Sequence, residues 1–263
     1  MDAMPQSPSA GTYIYCIGRA DAFEEDDSPL QARAIGAVGG PVRTVEFMSL
    51  AAVVSDSPAA RYDISRANTM AHQVVIEEAM GRSDILPVRF STVAKSDEAV
   101  RDRLLKRRFG ELHSLLHFVQ GRVELGLKVF WNRERLFADV TAESAQIRAL
   151  RDAIINRSAE EAHYERIRLG QLTEAVINSK RDREAETILE SLRPLATETK
   201  VNKVLTDMMV LNAAFLVDRS REQEFDAKVS ALDSAEDGRL MLKYVGPLPP
   251  YNFVNLVVHW EED

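Results

Sequence analysis

His113 and His117 stand four residues apart in a stretch of helical periodicity, so their imidazoles project from one helix face. Two such rings can grip zinc, but the segment reads HSLLH. It lacks the glutamate of the metalloprotease motif, and no Cys pair or acidic cluster supplies an obvious third ligand. Cys16 would need a neighbouring base and an exposed, electropositive setting to act as a nucleophile. It stands instead between Tyr15 and Ile17 in a strand-like run, which reads as a buried thiol. His72 with Glu77 and Glu78 offers acid–base groups on one helix, a combination too common to define a site. The GAVGG run at Gly36–Gly40 matches neither phosphate-loop spacing, and there is no GxSxG elbow. We therefore expect no catalytic residue, no metal site and no cofactor. An enzyme built on His72 or on the His113/His117 pair is the weakest alternative.

Arg101, Arg103, Lys106, Arg107 and Arg108 form a basic cluster, but successive helical positions spread around the axis and make no single stripe. The expectation is a solvated, ion-paired face. Two other segments combine proline, aromatic and charged residues as an ordinary core does not require. One is Leu86-Pro87-Val88-Arg89-Phe90; the other runs Gly246-Pro247-Leu248-Pro249-Pro250-Tyr251-Asn252-Phe253. Stiff, aromatic surfaces lose little entropy on binding and suit protein partners. Pro87, Arg89, Phe90, Pro247, Pro249, Pro250, Tyr251 and Phe253 are accordingly the candidate partner-binding residues. The alternative is a pair of rigid turns packed on aromatics.

These segments must be positioned by a folded scaffold. With 263 residues, 45% of them hydrophobic, the chain can build a sizeable core, and one cysteine excludes an internal disulfide framework. A net charge of −8, with neither half basic, argues against a nucleic-acid partner. No apolar run reaches the length of a membrane helix, and MDAMPQSPSAG reads as a tail (residues 1–11) rather than a signal peptide. The compartment expected is the cytoplasm.

Strands are expected over Thr12–Arg19, Val42–Phe47, Leu50–Ser55, Asp84–Phe90 and Arg122–Trp131, the last from its period-two alternation of Val123, Leu125, Leu127, Val129 and Trp131. Pro87 marks an edge strand. Helices are expected over Ser65–Met80, with Met70, Ala71, Val74 and Val75 inward, and from Ser96 to Val119. This order predicts an α+β fold: an N-terminal ferredoxin-like domain over residues 12–138, with helices on one face of an antiparallel sheet. A C-terminal α+β domain with long helices follows over residues 139–263. Its helices are expected over Ala142–Leu169, Gln171–Leu192 and Ser220–Leu232, and its strands over Asp207–Val217 and Arg239–Val245. The boundary is expected near Phe137–Thr141.

Five ordered pieces resemble the gas vesicle protein L/F family (GvpL/GvpF). They are YIYCI near the start, LPVRFSTV at Leu86–Val93, GRVELGLKVFW at Gly121–Trp131, LNAAFLVDRSREQEFDAKVSAL at Leu211–Leu232 and LKYVGPLPPYNFVNL at Leu242–Leu256. Ser91 departs from the glycine that the family often carries after PVRF. The resemblance implies a non-catalytic accessory or minor structural protein of gas vesicles. Its partners would be the major shell protein and other gas vesicle accessory proteins, with no nucleic acid and no membrane. A small-molecule-sensing α+β regulatory module is the alternative from a different class.

Overall fold

The computed structural model describes residues 11–24, 30–36, 40–158 and 160–258. Contacts divide the chain into two compact units. One holds residues up to Glu124 together with those from Pro247 onward; the other is Leu125–Gly246. Each is a mixed α/β structure built on its own sheet.

The first unit begins with β1 (Gly11–Arg19), a short helix α1 (Asp21–Glu24), β2 (Arg43–Phe47) and β3 (Leu50–Ser57). Helix α2 (Arg66–Arg82) leads to β4 (Leu86–Pro87) and β5 (Val93–Ala94). The sheet order is β2-β3-β1-β4, with β5 also paired to β1, and all these pairings are antiparallel. Counted from the far edge, that is fourth, first, third, second, the ferredoxin-like order that the β/α pattern implied. Among the described residues of the first crossover, the helix is the short α1.

The sheet is covered on both faces, not on one as expected. Val53, Tyr13, Tyr15 and Cys16 face Val75, Ile76 and Ala79 of α2. Ile14, Ile17, Leu50, Ala52 and Val54 face the other way, toward Val100, Leu104, Leu105, Leu112 and Leu116. Strand alternation separates the two sets, and a bulge between Ile14 and Cys16 lets Tyr15 and Cys16 share a side. A strand buried on both faces reads as a continuous apolar run, as YIYCI does.

The second covering layer starts at Ser96, whose hydroxyl accepts from the Ala99 amide. From there α3 (Asp97–Ala99) passes into a π-helical stretch, Val100–Lys106, and then α4 (Phe109–Val119). The single helix expected from Ser96 to Val119 is thus interrupted. β6 (Arg122–Trp131) matches its expected bounds.

The second unit continues from β6 through α5 (Arg133–Glu143), α6 (Ala145–Ile154), α7 (His163–Leu192), β7 (Glu198–Val201), β8 (Met209–Asp218), α8 (Glu222–Ala235) and β9 (Leu240–Leu248). Its sheet order is β7-β8-β6-β9. Counted from the far edge this is again fourth, first, third, second. The chain therefore runs one strand order twice, a repeat that the amino-acid sequence does not display.

Three sequence expectations shift here; the helix expected over Ala142–Leu169 is broken, with α6 ending at Ile154 and α7 starting at His163. The division falls at Glu124/Leu125, and Phe137–Thr141 lie inside α5, whose first turn is capped by the Asn132 side chain. Also, α7 runs unbroken through Gly170, because one glycine costs a long helix only about 1 kcal/mol.

Candidate docking groove

The groove belongs to the first unit and has three walls. Thr69, Met70, His72 and Gln73 come from α2. Pro87, Val88, Arg89 and Phe90 come from β4 and the residues after it, and Tyr251, Val254, Asn255 and Leu256 from the C-terminal segment. Together they enclose about 560 Å³.

The helical wall depends on which side of α2 faces in. Ser65 caps the helix, its hydroxyl accepting from the Asn68 amide. The buried side carries His72, Val75, Ile76 and Ala79. Met70 and Val74, expected inward, are 54% and 47% exposed. Apolar residues on both sides of α2 blur its periodicity, and the outward pair leaves an apolar strip beside the groove.

His72 forms the floor and is 5% exposed. The Ser91 amide donates to the Tyr13 hydroxyl at 3.0 Å, which leaves that hydroxyl's own proton for Nδ1 of His72, also at 3.0 Å. The network thus assigns the ring proton to Nε2, and the ring also hydrogen-bonds the Val88 backbone. Burial pushes the imidazole down to about 4, so it is neutral near pH 7. Tyr15 stacks on the ring and Phe90 meets it edge-on at 5.6 Å. Burial likewise raises the Tyr13 phenol.

Ser91 has φ +67°, the left-handed region where glycine is at ease. The glycine common in the resembling family would sit there without strain. Here the Ser91 hydroxyl accepts from the Tyr62 amide at 2.8 Å.

The third wall is tied down at several points. Glu124, buried at the start of β6, accepts from the backbone and side-chain nitrogens of Asn252 at 2.7 and 2.6 Å. The Tyr251 hydroxyl donates to Gln73 Oε1 at 2.7 Å. Arg108 donates to the Val257 carbonyl, and Leu256 forms an isolated parallel bridge with Val88. The sheet edge at Pro87 is therefore covered by the chain's own C-terminal segment. It is not an open strand for a partner to extend.

The candidate residues separate accordingly. Pro87, Arg89, Phe90 and Tyr251 line the groove, although 161 positions separate Phe90 from Tyr251. Pro87 is buried in β4, while Pro249, Pro250 and Phe253 are buried in a turn whose backbone bonds run from Tyr251 to Pro249 and from Phe253 and Val254 to Pro250. Pro247 is exposed and lies outside the groove. Thr69, Met70, Gln73, Val254, Asn255 and Leu256 were not singled out from sequence; the only signal was the second apolar side of α2.

Cys16 is fully buried, and desolvation raises its thiol. His113 and His117 are exposed on α4 and share a hollow of about 210 Å³ with Arg19 and Asp84. Among the described residues, no three His, Cys, Asp or Glu side chains are placed to hold a metal ion. No described helix is long and apolar enough to cross a membrane.

The class defined by these features is an α+β protein with two ferredoxin-ordered sheets and a partly apolar groove on the first unit. The family model described as "Gas vesicle synthesis protein GvpL/GvpF" matches residues 11–255, and the chain belongs to that family. A gas vesicle protein F from a Streptomyces species is 33% identical over 251 residues, covering 92% of this chain and 99% of that protein. One from a Nostoc species is 30% identical over 204 residues, covering 77% and 83%. The crystal structure of GvpF from an Anabaena species superposes with a TM-score of 0.80 at 28% identity, covering 95% of this chain and all of that one.

Proposed function

We propose that this chain is a non-catalytic, cytoplasmic assembly factor for gas vesicles, and that it binds the major shell protein through the groove between α2, the Pro87–Phe90 segment and the C-terminal segment. The single observation carrying this reading is the convergence of the two Pro-aromatic segments, distant in sequence, in one cleft of a gas vesicle family member. A shell subunit must turn an apolar surface toward gas, and that surface would aggregate before assembly. A partner that covers part of it keeps the subunit competent. Burying one large apolar side chain contributes about 1.5–3 kcal/mol, so a few anchors in the groove offset much of the cost of association, about 4–15 kcal/mol.

Pro87, Pro249, Pro250 and Phe253 support the groove from within, while Met70, Phe90 and Tyr251 supply accessible apolar surface. Met70→Lys, Phe90→Ala and Tyr251→Ala should each reduce recovery of the shell protein from the soluble fraction on co-expression, with the variants still folded. Full recovery with all three would remove the groove from the account. The cleft is also within the size range of small-molecule pockets. A thermal shift with a nucleotide or metabolite, alongside no shell-protein binding, would favour a sensing module instead.

A further inference from the structure

The groove carries one charge. Among its lining residues only Arg89 is ionised, since His72 is neutral and no carboxylate is present. Arg19, Arg43, Arg82 and Arg108 of the same unit each hold a carboxylate. Arg89 is exposed, and among the described residues its guanidinium has no ion-pair partner. On a chain of net charge −8, this places an unpaired cation inside an apolar hollow. An acidic group meets general repulsion from such a protein and attraction at this point. The apolar surface also continues past the groove from Met70 to Val74, one turn further along α2. That extent suits a chain segment better than a compact carboxylate.

Resting on the reading of the groove as the shell-protein site, we infer that Arg89 is its specificity determinant. It pairs with a carboxylate of the docked segment, and apolar side chains flanking that carboxylate seat against Met70, Phe90, Val254 and Leu256. The planar guanidinium suits bidentate pairing, and its exposure leaves the pair sensitive to salt. The acidic group thereby fixes the register of an otherwise apolar contact.

The test is the affinity of the full chain for the major shell protein encoded in the same genome, with thermal melts to establish that each variant is folded. Arg89→Gln should weaken binding about fivefold and Arg89→Glu about twentyfold or more. The wild-type complex should weaken with added salt more steeply than the Arg89→Gln complex. Replacing one acidic residue of the shell protein by lysine should restore binding to Arg89→Glu. Undiminished binding by Arg89→Glu, with Met70→Lys impaired, would overturn the inference and leave the groove reading standing. Undiminished binding by both variants, or no binding by wild type, would overturn both. If octanoate stabilises the wild type but not Arg89→Gln, and no shell protein binds, the occupant is a small carboxylate and the protein-segment inference fails.

Discussion

Acid should weaken this fold through His72 in a calculable way. The ring is buried against Tyr13, Tyr15, Val88 and Phe90, and its folded-state value is lowered to about 4 from about 6.5. A lowered value means that the unfolded chain takes up the proton first as pH falls. The neutral ring's contribution is therefore fully present above about pH 6.5 and is lost on descending toward pH 4. The gap corresponds to about 3 kcal/mol in total, of which about 2 kcal/mol has gone by pH 5. Carboxylates titrate over part of the same range, so the informative quantity is a difference. His72→Gln cannot titrate there and keeps an acceptor for the Tyr13 hydroxyl. Urea unfolding of both proteins at pH 7.0, 6.0 and 5.0 should show the variant less stable at neutrality, with the deficit shrinking by about 2 kcal/mol at pH 5. A deficit that stays constant with pH would refute the assignment of His72 as a buried neutral ring.

Other substitutions test other links. At Ser91, glycine relieves a left-handed backbone by about 1 kcal/mol but loses the acceptor for the Tyr62 amide and gains unfolded-state entropy, while alanine keeps the strain and loses the acceptor. Denaturation should rank wild type above Ser91→Gly above Ser91→Ala, and an alanine variant as stable as wild type would contradict the role given to the hydroxyl. Gly170 lies within α7, and an added Cβ would meet nothing within 4 Å. Gly170→Ala should therefore stabilise the fold by about 0.5–1 kcal/mol, read as a higher urea midpoint. Glu124→Ala should destabilise by about 1–2 kcal/mol by removing a buried carboxylate that accepts two hydrogen bonds from the half-buried Asn252, and should speed hydrogen exchange at the Asn252–Val254 amides.

Sequence legibility follows the strength of local signals. The alternation from Val123 to Trp131 left only one strand to draw, and Ser65 and Ser96 announced two helix starts that the caps reproduce. The first unit's strand order followed from β/α succession, since crossover rules leave few alternatives. Local propensity marks Gly170 as a break, whereas helix length and packing carry α7 through it. β7 is too short, at four residues of which only Val201 is apolar, to register as a strand. Most of all, nothing local revealed that the chain after β9 returns to the first unit. The bond between Glu124 and Asn252 spans 128 positions, and such pairings leave no period in the sequence. Half of the groove was visible for that reason: Pro87–Phe90 and Tyr251 stood out by composition, but their meeting place on the outer side of α2 did not.

The central claim is that the groove contacts the major shell protein, and site-specific photo-crosslinking tests it most directly. A photoreactive amino acid at Met70, 54% exposed on the groove wall, is compared with one at Tyr164, 82% exposed at the start of α7 in the other unit. During co-expression with the shell protein, the account predicts a covalent adduct from position 70 that Arg89→Glu diminishes, and none above background from position 164. Equal adducts from both positions, or an adduct from position 164 alone, would contradict it.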